Sequence, residues 1–227
     1  MSDFYSKYLD LVNTQKQNYR GAGIFFYKKD TINNDYDFLL GVDNKKRGEK
    51  LSVFGGGKDK EDPNSLYTAV REVFEELFNV LPNGIDLVVD RLQEKINDGS
   101  IIEKVFVKKE NEISYFAHMD VLDIFINHLH YHEAPWMFKG KKEWSKYYNN
   151  LDLFIKDRVL KPTQIAGNGL NEIKRIYLVK WSELSKPIKK SEERIVIINN
   201  SKYKLRDNLN RYLKENIIID TINKNIH

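Results

Sequence analysis

The chain has 227 residues, enough for one sizeable core and short for two domains, and its 41% hydrophobic and 31% charged residues are ordinary for a water-soluble globular protein. A net charge of +4 permits contact with polyanions without arguing for it, and the absence of cysteine excludes a disulfide framework and thiolate chemistry. No stretch approaches the roughly 18 apolar residues of a membrane span. Met1-Ser2-Asp3 does not open a signal peptide, so the expectation is a single domain over 1–227, without a membrane partner, in a reducing cytoplasm.

Residues 1–19, polar with Tyr5, Tyr8 and Tyr19, read as a short lead-in helix. GAGIFFYKK (21–29) and YDFLLGVDN (36–44) read as two strands around a turn at Asn33-Asn34-Asp35, and Leu51–Phe54 as a third short strand. Next comes FGGGKDKEDPNSLYTAVREVFEELFNV (54–80), three glycines, a charged loop and a helix, with Asp62 expected as N-cap and Pro63 as first helical residue. With helix residues about 100° apart, Leu66, Ala69, Val70, Val73 and Leu77 form one apolar stripe, and Glu72, Glu75 and Glu76 an acidic strip beside it. Like charges at i, i+3 and i+4 repel unless neutralised, and a hard divalent cation shared with substrate phosphates does this. The bare backbone at Gly55-Gly56-Gly57 permits close approach of a ligand. The alternative is a solvated acidic helix face, which accounts for neither the glycines nor their spacing from the glutamates.

These residues resemble the Nudix box, G-x5-E-x7-R-E-U-x-E-E-x-G-U with U aliphatic. Gly57, Arg71, Glu72, Val73, Glu75 and Glu76 stand at its offsets, Pro63 occupies the first Glu position, Phe78 the late glycine, and Asn79 the last U, with Val80 one residue on. The resemblance implies a Nudix α/β/α sandwich with a mixed central sheet. It also implies Mg²⁺ (or Mn²⁺) on Glu72, Glu75 and Glu76, one of them, most often the Glu72 equivalent, serving as base toward water. Gly57 and Arg71 would be structural, Arg71 tying the helix back to the loop. Pro63 removes an assisting carboxylate for which Glu61 or Asp62 would compensate.

Farther along, Pro82-Asn83-Gly84 is a turn, Ile85–Ile96 is weakly periodic, and Glu103–Val107 with Ile113–Met119 forms a hairpin whose Glu103 and Glu112 are ordinary solvated strand residues. Val121–His130 is helical and opens an insertion over about 121–165, rich in aromatics (Tyr131, Trp136, Phe138, Trp144, Tyr147, Tyr148, Phe154) interleaved with Lys139, Lys141, Lys142 and Lys146. Such rings can stack bases beside phosphate-attracting lysines. Rings at helical spacing more often pack inward, and Leu151, Phe154, Ile155 and Val159 have that spacing. His128, His130 and His132 alternate without cysteines, a weak metal pattern. After the Gly167-Asn168-Gly169 turn, Ile173–Trp181 reads as a strand, and Tyr203–Asn216 as a closing amphipathic helix with Leu205, Leu209, Tyr212 and Leu213 on one stripe. Many Nudix enzymes place a further carboxylate opposite the box helix; Glu172 is the candidate, against an exposed strand-start glutamate.

What the resemblance implies is hydrolysis of a diphosphate linkage in a nucleoside diphosphate derivative. The wording GGGKDKED…AVREVFEE followed by NEIKRIYLVKW is similar to the decapping-type Nudix enzymes of large DNA viruses, which implies capped RNA as substrate and, for a viral chain, the host cytoplasm. Free nucleotides, dinucleoside polyphosphates or diphosphoinositol polyphosphates are the alternative substrates. A binding module whose catalysis is weakened through Pro63 and Phe78 is the alternative of another class. Family members are often dimers, and nothing in the sequence decides this.

Overall fold

A computed structural model describes residues 18–43, 49–106, 111–132, 136–137, 151–160, 173–186 and 194–214. Strand β1 (Gly21–Asp30) lies inside the sheet. It pairs antiparallel with β2 (Asp35–Asp43) through Phe26↔Leu39, across a turn in which the Asp30 carboxylate accepts the amides of Ile32 and Asn33 and Asn34 takes φ 51°. Beyond that point β2 parts from β1. Two short strands take the released edges where a single strand over 51–54 was expected: β3 (Lys50–Ser52) pairs with β2, and β4 (Phe54–Gly57) with β1. The glycines make the second pairing close, because a Cβ on Gly55 would lie 2.5 Å from the Cα of Gly23.

After β4 come α1 (Ser65–Glu72), a π turn (Val73–Phe78), β5 (Val80–Leu81) and α2 (Ile85–Asn97), and then the expected hairpin of β6 (Ile101–Phe106) and β7 (Glu112–His118). Strand β7 lies parallel to β1, with Tyr115 opposite Ile24. A 3₁₀ turn at Met119–Val121 leads into α3 (Leu122–Tyr131), followed by β8 (Trp136–Met137), which pairs with β5, and α4 (Leu151–Leu160). Strand β9 (Ile173–Lys180) lies antiparallel to β2, and Trp181, expected to end that strand, instead starts the single turn α5 (Trp181–Leu184).

The C-terminal part differs from the expected helix over 203–216. Tyr203 and Leu205 are buried and alternate with exposed Lys202 and Lys204, a period of two, and they belong to β11 (Ser201–Leu205). Its hairpin partner β10 (Ile195–Ile198) is joined to it through Asn199 and Asn200, at φ 50° and 64°. Only from Asp207 does the chain become helical, in α6 (Asp207–Lys214), where Leu209 and Leu213 keep the i, i+4 stripe. Nine of the described strands thus form a mixed sheet of order β10-β11-β3-β2-β1-β7-β6, with β4 on β1 and β9 on β2, while β5 and β8 pair apart from it.

The fold is a mixed α/β sandwich with a core on each face. Ile24 and Phe26 of β1 meet Leu66, Ala69, Val70, Val73 and Leu77, together with side chains of α2, α3 and α4. Phe25 and Tyr27, pointing the other way, meet Phe38, Leu40, Leu184, Leu209 and Leu213. Of the lead-in helix expected over 1–19, residues 1–17 lie outside the described residues and Asn18 and Tyr19 are not helical; the insertion's residues 138–150 also lie outside the described residues.

Asn79 ends the helical run in the left-handed region at φ 58° and is fully buried. Among the described residues neither polar atom of its side chain has a hydrogen-bond partner. Glycine would suit the backbone and remove the orphaned amide, at the cost of a small void. Asn79→Gly is expected to stabilise the fold by about 1 kcal/mol, read as a higher urea midpoint at unchanged m value.

Candidate active site

Helix α1 starts two residues later than expected. Asn64 is the N-cap, its Oδ1 accepting the amide of Tyr67 at 2.8 Å, and Pro63 precedes the helix. The reason is that Asp62 is engaged elsewhere. Its buried carboxylate accepts from Arg71 Nε at 3.1 Å, Arg71 Nη2 at 3.0 Å, the amide of Asp59 at 3.0 Å and Thr68 Oγ1 at 2.7 Å. Thr68 has one hydroxyl proton and gives it to Asp62, so at 2.9 Å Tyr19 donates to Thr68.

Arg71, only 8% exposed, is the hub of the site. Besides Asp62 it donates to the carbonyl of Gly57 at 2.9 Å, and its Nη1 stands 3.0 Å from Glu72 Oε1, 3.1 Å from Glu75 Oε2 and 3.6 Å from Asp59. Burial alone would lower the guanidinium's pKa; the Asp62 bonds and the charges of Glu72 and Glu75 outweigh it and raise the value above the ordinary one. Burial pushes the Asp62 carboxyl up, and the Arg71 hydrogen bond, with those from Asp59 and Thr68, carries it below the ordinary value. For Glu75 burial prevails over the attraction of Arg71, and its pKa is raised, with Asp59 and Asp62 adding to the shift.

The glutamates lie over the glycine strand. Glu76 is 4% exposed and its Oε2 accepts the amide of Gly55 at 2.8 Å. The carboxyl group of Glu72 lies against Gly56, where an added Cβ would come within 2.5 Å of it. Strand β4 therefore forms a floor of bare backbone that fixes one carboxylate by hydrogen bond and admits another by lacking side chains.

The turn carrying Glu75 and Glu76 is a π turn, not the regular helix that the 100° wheel assumed. The left-handed residue closing it is Asn79, followed by Val80 in β5. A π turn accommodates one residue beyond an α-helical course. The left-handed position is thus Asn79 and not Phe78, and the buried aliphatic that follows it is Val80. The early departure has a similar form: the acid is at Asp62, one residue before the Pro63 position. The sequence names Asp62, beside Glu61, as the compensating acid and shows Val80 one residue on; what sequence reasoning missed is that Asn79 takes the left-handed position.

Two glutamates and two aspartates lie within ion-pair distance of a single guanidinium, so negative charge is in excess. Arg71 Nη1 already sits as a cation between Glu72 and Glu75. The oxygen donors suit a hard divalent cation, which usually takes one or two carboxylates and completes its shell with water and phosphate oxygens. Among the described residues no three His, Cys, Asp or Glu side chains form a ready-made metal cage.

Glu172 lies outside the described residues. His128 is buried and its Nε2 bonds the carbonyl of Asn83 at 2.7 Å, while its ring stacks on His132 with centroids 4.1 Å apart. Of the insertion's aromatics whose side chains are described, Tyr131 is exposed and Phe154 fully buried. No described helix is long and apolar enough to cross a membrane.

No family model matches the chain, and no curated protein matches it. Among solved structures it is similar to an Ap4A hydrolase from C. elegans, at 14% identity over 44% of this chain and 64% of that one, with a TM-score of 0.27. It is also similar to a MutT/nudix family protein from Enterococcus faecalis, at 8% identity over 88% of this chain and 61% of that one, with a TM-score of 0.37. The chain spans less than two thirds of either structure.

Because the folded-state pKa of Asp62 is depressed, its ion pair contributes stability above the ordinary carboxylate value of 3.8 and loses it as pH falls through the lower folded-state value. Asp62→Asn leaves the guanidinium without its main partner. It is expected to cost about 3–5 kcal/mol at neutral pH and to flatten the acid limb of stability, measured by urea denaturation from neutral pH downward.

Proposed function

We propose that the chain is a metal-dependent Nudix hydrolase that cleaves a diphosphate linkage in a nucleoside diphosphate derivative, with capped RNA as its substrate. The observation that carries this reading is the joint placement of Arg71 on the Gly57 carbonyl and Glu76 on the Gly55 amide. It links the R-E-U-x-E-E run to the glycine strand through both the arginine and the last glutamate. The reading takes residues 1–227 as one domain with an insertion over about 121–165.

Glu72, Glu75 and Glu76 would hold Mg²⁺ or Mn²⁺ together with phosphate oxygens. When bound, the metal supplies neutralisation of phosphate charge and polarisation of the phosphorus–oxygen bond. The chain's own residues do the rest. Gly55 fixes Glu76 by its amide, so this carboxylate needs no reorganisation when charge develops. Arg71 holds Glu72 and Glu75 in one place and anchors the helix to the loop through Asp62 and Gly57. Glu72, over Gly56, is assigned the water's proton, and hydrolysis then requires that water in line with the leaving oxygen. Glu172 is retained as a further carboxylate for orienting water. With Asp62 on Arg71, Pro63 leaves the arginine paired, which supports an active hydrolase over a decayed binding module.

The capped-RNA assignment draws on the wording of the sequence around the box and on the lysines and aromatics of 130–164. Binding of a capped chain should fall linearly with log salt, at a slope of about −0.7 per phosphate contacted, while a small nucleotide should give a shallow slope. The test is Mg²⁺-dependent hydrolysis of cap-labelled RNA, free cap analogue, a dinucleoside polyphosphate, dNTPs and a diphosphoinositol phosphate, with Glu76→Gln as control. The expected result is release of a capped nucleoside diphosphate from RNA, lost by about a hundredfold or more in the variant, whose fold stays intact by circular dichroism. Turnover of a small compound alone moves the substrate to free nucleotides or signalling phosphates, and near-normal activity of Glu76→Gln overturns the assignment of roles.

A further inference from the structure

The π turn holds one residue more than an α-helix would, and something must keep that residue from being reabsorbed. Phe78, the last residue of the turn, is fully buried and stacks on two other buried rings. Its centroid is 4.8 Å from that of Phe154 and 6.0 Å from that of Phe125, each at an interplanar angle of 13°. Phe74, at the turn's other end, packs on Phe125 with centroids 5.1 Å apart. Phe154 belongs to α4, within the insertion. The insertion meets the same place a second time through β8, whose Met137 pairs with Val80 directly after Asn79. The same turn carries Glu76, which accepts the Gly55 amide, and Glu75, which pairs with Arg71.

We propose that Phe154 is a positioning residue for the carboxylates: by stacking on Phe78 it holds the π turn open, and so sets the angle between Glu72, in α1, and Glu75 and Glu76, in the turn. Were the turn to return to α geometry, everything beyond the extra residue would rotate about the helix axis relative to Glu72, and Glu76 would leave the Gly55 amide. On this account the insertion is part of the catalytic scaffold, whatever its outer residues contact. The inference rests on the hydrolase reading for its consequence in turnover, and on the geometry alone for its consequence in the turn.

The experiment compares Phe154→Ala with Leu209→Ala, a cavity variant on the opposite face of the sheet, and with Phe154→Leu, which keeps most of the volume. All are studied at a temperature where each is fully folded. Amide hydrogen exchange of the metal-free protein is read over 73–80, with 85–97 as internal reference, and Mn²⁺ binding is titrated by electron paramagnetic resonance. Phe154→Ala is expected to speed exchange in 73–80 and to weaken Mn²⁺ binding by roughly tenfold. Leu209→Ala should leave both unchanged at a similar loss of thermal stability, and Phe154→Leu should recover most of each. Where a diphosphate substrate is turned over, the Mg²⁺ concentration for half-maximal rate should rise with the Mn²⁺ dissociation constant. Equal exchange changes in Phe154→Ala and Leu209→Ala, or unchanged exchange in 73–80, would overturn the proposal. A wild-type protein that turns over nothing sinks the hydrolase reading, while exchange still decides the role of Phe154.

Discussion

A buried guanidinium is tolerable only where its donors meet acceptors and its charge meets opposite charge. Arg71 satisfies this with the Gly57 carbonyl and the carboxylates of Asp62, Glu72 and Glu75, partners drawn from three parts of the site. Gly57 ends the glycine strand, Asp62 is the inner wall of the loop, and the glutamates extend along the helix. One side chain therefore closes the loop, fixes the helix at its distance from β4 and keeps mutually repelling carboxylates together. Behind it, Thr68 and Tyr19 extend the network to the segment that leads into β1.

Glu72 and Glu75 are paired with Arg71, and the glycine strand supports the carboxylates too, Glu76 by the Gly55 amide and Glu72 by the bare surface of Gly56. The raised pKa of Glu75 registers the cost that remains, burial with more negative than positive charge nearby.

Legibility in the sequence followed the strength of the local signal. The strands around Phe26 and Leu39 declared themselves as apolar, aromatic runs bounded by turn residues, and the 101–118 hairpin as two strands around a charged turn, whereas 85–97 was only weakly periodic, open to a helix or a loop, and is a helix. The acidic strip and the glycine turn were legible because their spacing is local. Three features were not. Tyr203 and Leu205 have strand alternation, but with Leu209 and Leu213 close behind they could be drawn onto one helical stripe, and the hairpin turn lay in an unremarked Asn-Asn pair. Asp62 has the chemistry of an N-cap, and only the three-dimensional position of Arg71 diverts it. The π turn has no sequence period of its own, since what sustains it is a ring from α4, far along the chain.

The sheet also carries an order of assembly. Strand β3 finds its outer neighbour only in β11, with Leu51 beside Leu205, and Arg206 then binds both the Leu51 carbonyl and the carboxylate of Asp43. Strand β2 in turn waits for β9. During synthesis the glycine floor and the carboxylate helix leave the ribosome well before the strands that cover β2 and β3. The first half of the sandwich must therefore persist for a time with open strand edges and an uncovered aromatic face at Phe25, Phe38 and Leu40. Contacts this distant in sequence make closure slow and leave the nascent chain exposed to association with its own copies.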